Sequence, residues 1–280
     1  MNLYDAHNHL NDAVLAPHLD RIFTDLAATG VRRVVANGAS EADWADVSSL
    51  ATAHSIVLPS YGLHPWDVGN RTPDWQENLL VRLDADPRAG VGEIGLDRWM
   101  LDRAKPDDPH FIGLHRAPIE EQMEVFLWQL TLAGERNLPA SIHCLDAFGP
   151  LFDSLRSAKR PVCGFLLHAY NGPAEMVAGF AKLGAYFSFN GGFLDPRMQR
   201  LRAVYAAIPA DRLLVETDAP AMRLPADREQ FPPLPVADGT LANHPANLAT
   251  TYAALADWRG VELSTLATQV EENFLRLFGR

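Results

Sequence analysis

The sequence predicts an α/β chain folded as a single (β/α)8 barrel, and three observations carry that expectation. Short apolar and β-branched runs alternate with longer runs of helical periodicity along all 280 residues. The strand-like runs number eight. Histidines and carboxylates fall at or near the ends of five of them, where a parallel barrel opens its active-site mouth.

The strand-like runs are Asn2–His9, Val31–Ala39, Ser55–Gly62, Gly90–Asp97, Pro139–Leu145, Val162–Tyr170, Ala185–Gly192 and Leu213–Pro220. Each has β-branched or apolar content and a turn signal after it. The last reads L-L-V-E-T-D-A-P, a buried run that delivers Asp218 to its own C-terminal mouth. Among the helical stretches, Ile119–Asn137 carries Met123, Phe126, Leu127 and Leu130 at i, i+3, i+4 and i+7. Another starts at Gly172–Pro173, with proline suited to a first helical position, and carries Met176, Val177, Phe180 and Leu183. Residues 225–239 are proline-rich and polar and read as a long loop, followed by helical stretches over 245–258 and 263–278. There is no internal repeat and no evident domain boundary, so residues 1–280 read as one domain.

Composition narrows the function. Hydrophobic residues make up 48% of the chain, ordinary for a folded core, and no apolar run is long enough for a membrane span. Two cysteines are too few for a disulfide framework, and no secretory signal precedes M-N-L-Y-D; a reduced, cytoplasmic protein is expected. A net charge of −11 argues against coating nucleic acid through a broad basic surface. It does not argue against an enzyme that grips one phosphodiester with metal and a few arginines. No obligate protein partner is evident.

The chemistry-bearing residues converge on the predicted mouth. His7 and His9 end the first strand, and a spacing of two points both to one side. Glu93 lies late in the fourth strand, His143 in the fifth, His168 in the sixth, and Asp218 ends the eighth. A lone histidine at a strand end is most simply a satisfied structural residue. Core packing, however, gives no reason for six such groups to coincide at the ends of five strands. Imidazole with carboxylate suits zinc, manganese or a related divalent ion, and the carboxylates also suit magnesium. Lys105, Lys159 and Lys182 are the only lysines and none ends a strand, so a carboxylated-lysine bridge or a Schiff base is excluded. Glu93 is the available bridge between two ions.

Other residues carry softer expectations. Asp5 faces the same way as His7 one layer deeper, which suits support of a metal-bound histidine. His64, after the third strand, reads as a substrate contact ahead of a scaffold residue. Cys144 is expected to pack against the helix layer, and His18 and His54 to be surface histidines. Arg98, Arg116 and Arg223 lie in or near predicted βα loops and are candidates for holding a phosphate, with plain surface arginine as the other reading.

In order along the chain, D-A-H-N-H, G-L-H-P-W-D, G-E-I-G-L-D, A-P-I-E-E-Q, L-P-A-S-I-H-C-L-D-A, L-H-A-Y-N-G, E-T-D-A-P, N-H-P-A-N-L and N-F-L-R-L-F-G span 5–279. This ordered set resembles the TatD family of metal-dependent hydrolases, within the amidohydrolase-like barrels. The resemblance implies a (β/α)8 barrel, one to three divalent ions, and for several members a magnesium-dependent DNase acting from the 3′ end. It implies His7, His9, Glu93, His143, His168 and Asp218 as ligands. Three departures surround the substrate rather than the metal. Leu145 stands where the family has arginine in H-x-R-D, Trp66 stands for the second histidine of G-x-H-P-H, and an insertion runs from Arg98 to about Arg116.

The expectation is therefore hydrolysis by a metal-activated water, with Asp218 as base and Glu93 shared between two ions. One ion would be held by His7, His9 and Asp218, the other by His143 and His168. The substrate is a phosphodiester such as the 3′ end of single-stranded DNA; an amide, lactone or other acyl group attacked on the same barrel is the alternative. A non-catalytic metal-binding scaffold is a third reading, but the intact ligand set does not favour it. The insertion, with Arg98, Trp99, Arg103, Lys105 and His110 interleaved, either shapes the substrate pocket or is a solvated flap.

Overall fold

The computed structural model describes residues 1–279; Arg280 lies outside the described residues. Among them, eight strands form one sheet in sequence order. They are β1 (Leu3–Asn8), β2 (Val31–Asn37), β3 (Val57–Tyr61) and β4 (Gly90–Asp97), then β5 (Ala140–Leu145), β6 (Phe165–Leu167), β7 (Ala185–Phe189) and β8 (Leu213–Val215). Every neighbouring pair is parallel. Past the end of β8 the chain meets β1: Asp218 N–H donates to His7 O at 3.0 Å and His9 N–H donates to Ala219 O at 2.8 Å. Helices connect the strands and cover the sheet, as a parallel barrel requires. Most strand residues are buried, apart from the exposed Arg32 and Arg33 of β2 and the partly open end of β5.

Several strands are shorter than their sequence runs suggest, the sixth and eighth most. The sixth run narrows to three residues and so does the eighth, which leaves His168 and Asp218 just past the ends rather than inside. Left-handed backbone follows both strand ends. Asp218 itself has φ 51°, and Ala169, directly after His168, has φ 44°. Asp accepts that region more readily than most residues, yet for both the conformation costs energy that the surroundings must supply. Glu93, expected late in β4, sits at its middle, and Asp97 is the residue at the end. The loop expected over 225–239 contains a short strand, β9 (Leu234–Pro235), paired antiparallel with β10 (Leu241–Ala242).

The helix Ile119–Arg136 corresponds closely to its sequence prediction and ends on Asn137 at φ 52°, a left-handed cap. Its buried face is rotated from the predicted stripe. Phe126 and Leu130 are buried, but Met123 and Leu127 are only partly so, and Gln122 and Gln129 lie fully inside. The glutamines are there because they satisfy strand-end backbone. Gln122 accepts from Asp97 N–H at 2.8 Å and donates to Asp97 O at 3.2 Å. Gln129 accepts from Leu63 N–H at 2.8 Å and donates to Leu63 O at 3.2 Å. One helix thereby fixes the chain beside His64 and at the end of β4. Asn243 does the same for the last strand, donating to Thr217 O at 2.9 Å.

Candidate metal centre

Glycine lets the walls of the barrel close around Glu93. A Cβ on Gly92 would lie 2.7 Å from Ser141 Cβ, and one on Gly95, at φ 150°, would lie 1.9 Å from His143 O. Only glycine permits β4 and β5 to approach so closely here. As a result Ser141 Oγ reaches His7 Nδ1 at 2.8 Å.

The two oxygens of Glu93, which is almost fully buried, face different partners. Oε2 lies 3.3 Å from His7 Nε2 and 3.2 Å from His9 Nε2. Oε1 lies 2.8 Å from His168 Nε2, 3.1 Å from His143 Nδ1 and 3.3 Å from His64 Nε2. Asp218 Oδ1 is 3.8 Å from His7 Nε2 and 3.7 Å from His9 Nε2. The sequence-selected set is thus brought together, and His64 joins it.

Hydrogen-bond partners indicate which nitrogens are free to bind a cation. His9 Nδ1–H donates to Asn37 O at 2.9 Å, leaving Nε2 with a lone pair. His143 Nε2–H donates to Asp97 Oδ2 at 3.3 Å, leaving Nδ1. These lone pairs converge with His7 Nε2 and His168 Nε2, and two imidazole pairs stand nitrogen to nitrogen at 3.3 Å. Unprotonated nitrogens so arranged around carboxylate oxygens have the donor chemistry of a divalent cation site. His7, His9 and Asp218 can form one such group, His7, Glu93 and His168 another, and His64, Glu93 and His143 a third. His64 differs in one respect. Its Nδ1 accepts from Trp66 N–H at 3.2 Å, so in the neutral ring Nε2 carries the proton and donates.

In the metal-free protein the histidines share protons with Glu93. Burial works against ionised Glu93, but His168, His64 and His7 hold it well below the usual carboxylate range. Burial likewise opposes charge on His9, yet Glu93 and Asp218 raise it to about 9. His143 is raised to about 9 against burial by Asp97 and Glu93. Burial dominates at His7, pushed down to about 4, and at Asp218, pushed up to about 7.

Above the cluster lies a cavity of about 500 Å³ lined by His9, His64, Glu93, His143, His168 and Asp218 at its floor. Trp66 and His110 form part of its wall, with Val236, Asp238 and Leu241 from the β9–β10 segment.

The comparison with protein families decides the affiliation: the profile of the TatD related DNases matches residues 4–279. The chain belongs to the TatD family. It is 29% identical to a 3′-5′ ssDNA/RNA exonuclease TatD of Escherichia fergusonii, over 99% of both chains. A metal-dependent hydrolase of Bacillus subtilis, YabD, itself uncharacterised, is 26% identical over 99% of this chain and 98% of its own. The crystal structure of YjjV, a TatD homologue from Escherichia coli K12, superposes with a TM-score of 0.83 at 25% identity, covering 99% of this chain and 98% of that one. This TatD protein is accordingly a metal-dependent hydrolase on an eight-stranded parallel barrel.

Around the TatD centre the structure departs from several expectations. Asp5 does not hold the His7 ring; Ser141 does. The Asp5 carboxylate instead accepts from Thr217 N–H at 3.0 Å and Thr217 Oγ1–H at 2.5 Å, tying β1 to the Asp218 segment. The three candidate phosphate-holding arginines are engaged elsewhere, and none lines the cavity. Arg98 pairs with Asp102 at 3.2 Å, and Arg223 with Glu229 at 3.0 Å. Arg116 donates to the carbonyls of Met100, Ala104 and Lys105 and stacks 4.5 Å over Phe111. The insertion reaches the cavity through His110, while Phe111 packs edge-on against Trp66 at 4.7 Å. Trp99 and Arg98 are not at the wall.

Two carboxylates escaped the sequence reading. Asp97 accepts from Trp66 Nε1–H at 2.6 Å as well as from His143, so the residue in the second-histidine place reaches a candidate ligand through it. Glu216, fully buried, is held by Ser188 and Asn190 and lies 3.8 Å from His168 Nδ1. Both sit inside quoted motifs, and a buried acid at a strand end was the available signal. Cys144 packs against the core, His54 stacks on Phe23 at 3.5 Å, and His18 contacts Pro235 O, and none of the three lines the cavity.

Proposed function

We propose that the chain, as one 280-residue catalytic unit, hydrolyses phosphodiester bonds at an end of single-stranded nucleic acid in the cytoplasm. Two divalent ions, magnesium, manganese or zinc, would be held by His7, His9 and Asp218 on one side and by His143 and His168 on the other, with Glu93 shared. The observation that carries this reading is the division of Glu93: Oε2 faces His7 and His9, Oε1 faces His143 and His168. The exonuclease activity named for the Escherichia fergusonii relative supports the substrate class. Among the described residues no helix is long and apolar enough to cross a membrane.

Bound divalent ions supply Lewis acidity, drawing the pKa of water from about 15.7 towards 7 and offsetting charge on the phosphoryl oxygens. The chain's own residues do the rest. Asp218, at the cavity floor, takes the proton of the attacking water. Glu93 remains ionised among its histidines, so its charge balances cation charge. His64, at the cavity floor, has its Nε2–H fixed as a donor by Trp66 N–H and directed at Glu93 Oε1, 3.3 Å away.

A second reading, an amidase, lactonase or deacylase, is favoured by one observation: no arginine or lysine among the described residues lines the cavity. The test is a panel of 3′-ended DNA, a simple phosphodiester, amides and lactones, with chelated and metal-restored enzyme. Phosphodiester turnover that chelator abolishes and metal restores is expected. Turnover of amide or lactone alone would replace the first reading with the second.

A further inference from the structure

Resting on that phosphodiesterase reading, we infer that the preferred substrate is a very short oligonucleotide, of two or three nucleotides, rather than a long strand. One scissile phosphate meets the metal centre and one nucleoside fills the cavity.

Three independent observations support this. The cavity, at about 500 Å³, has the size of a small-molecule site, not of a groove that tracks a polymer. Its charged rim has the wrong sign for extra phosphates: Asp12, Asp67 and Asp238 line it, with no arginine or lysine. Of the basic groups that the sequence offers near the mouth, Arg98 is paired with Asp102, Arg103 with Asp146 and Arg223 with Glu229, and Lys105 does not line the cavity. Arg116 is spent on three backbone carbonyls. A strand running out of the cavity would therefore leave a wall that carries carboxylates and no cationic side chain of arginine or lysine.

What the cavity does offer suits a single base. Trp66 and His110 present rings at one wall, and Val14, Val236 and Leu241 add apolar surface. The indole N–H of Trp66 is occupied by Asp97, so the ring contributes stacking area and not base-specific hydrogen bonding. Binding energy comes from one base and from one phosphate at the metals. Each further nucleotide adds a phosphate with no cationic side chain to meet it.

The experiment compares metal-loaded enzyme on thymidine oligomers of two, five and twenty nucleotides, each with a free 3′ hydroxyl, across a range of salt. Single-strand binding loses affinity with a log–log salt slope of about −0.7 per neutralised phosphate. The inference predicts kcat/KM for the 20-mer no higher than for the dinucleotide, and a slope of log(1/KM) against log salt near one phosphate, about −0.7. A 20-mer favoured by about threefold or more, or a log(1/KM) slope steeper than about −2, would overturn it while leaving the phosphodiesterase reading intact. Cleavage of none of the three oligomers would instead remove the phosphodiesterase reading on which it rests.

Discussion

Asp97 is the residue through which the orientation of His143 can be tested. Its Oδ2 accepts from His143 Nε2 at 3.3 Å and from Trp66 Nε1 at 2.6 Å, and its Oδ1 accepts from Met100 N–H at 2.9 Å. Although burial opposes its charge, those donors hold Asp97 below the ordinary carboxylate range. Asp97→Asn keeps the shape and leaves an oxygen for one donor but removes the charge that makes His143 Nδ1 a better ligand. A hydrogen bond to a charged group contributes about 1.5–3 kcal/mol. At 3.3 Å the lower end applies, and 1.4 kcal/mol is tenfold. We expect metal affinity on the His143 side to fall about 10- to 30-fold, within the span known for partners of metal ligands. Calorimetric titration of metal-stripped protein with manganese reads both sites, and circular dichroism confirms the fold. Equal weakening of both sites, or affinities within twofold of wild type, would refute the reasoning.

Other outcomes follow from the same geometry. Asp218→Asn should fold, since Asp218 contributes its backbone rather than its side chain to the β1 junction, yet lose at least ~10² in kcat; turnover within severalfold of wild type would assign the base elsewhere. Trp66→Phe keeps the ring against Phe111 but drops the bond to Asp97, and should weaken metal binding less than Asp97→Asn does. Arg98→Ala should leave kcat/KM within about twofold, as exposed pairs contribute about 1 kcal/mol or less and Arg98 does not line the cavity; a large loss would return Arg98 to the substrate. In the metal-free protein His9 and His143 are raised to about 9, so their stabilisation is full below about 6.5 and is lost as pH rises through 9. Scanning calorimetry from pH 6.5 to 9 should show Tm falling by at least about 5 °C without metal and much less with it. A flat metal-free profile would contradict the proton sharing.

The barrel and the cluster were legible because both depend on short-range pattern. Strand periodicity located all eight strands, and strand ends located His7, His9, His143, His168 and Asp218. Bounds failed at the sixth and eighth strands, where the ladder ends at Leu167 and Val215 and left-handed residues, Ala169 and Asp218, follow. The helix face was misjudged because Gln122 and Gln129 look like solvent residues in a hydrophobic pattern, and only tertiary backbone donors make them core. Arg98, Arg116 and Arg223 were read by position in loops, but their engagement depends on Asp102, the carbonyls around Met100, and Glu229. The Trp66–Asp97 bond joins residues 31 apart, and nothing local announces it.

The central claim is that Glu93 bridges two cation sites. Diffraction from crystals of the protein loaded with manganese, with data collected for anomalous signal, tests it most directly. The account predicts two peaks, one on the His7, His9 and Asp218 side of Glu93 and one on the His143 and His168 side. A single peak away from Glu93, or none at this cluster in protein shown to be active, would contradict it.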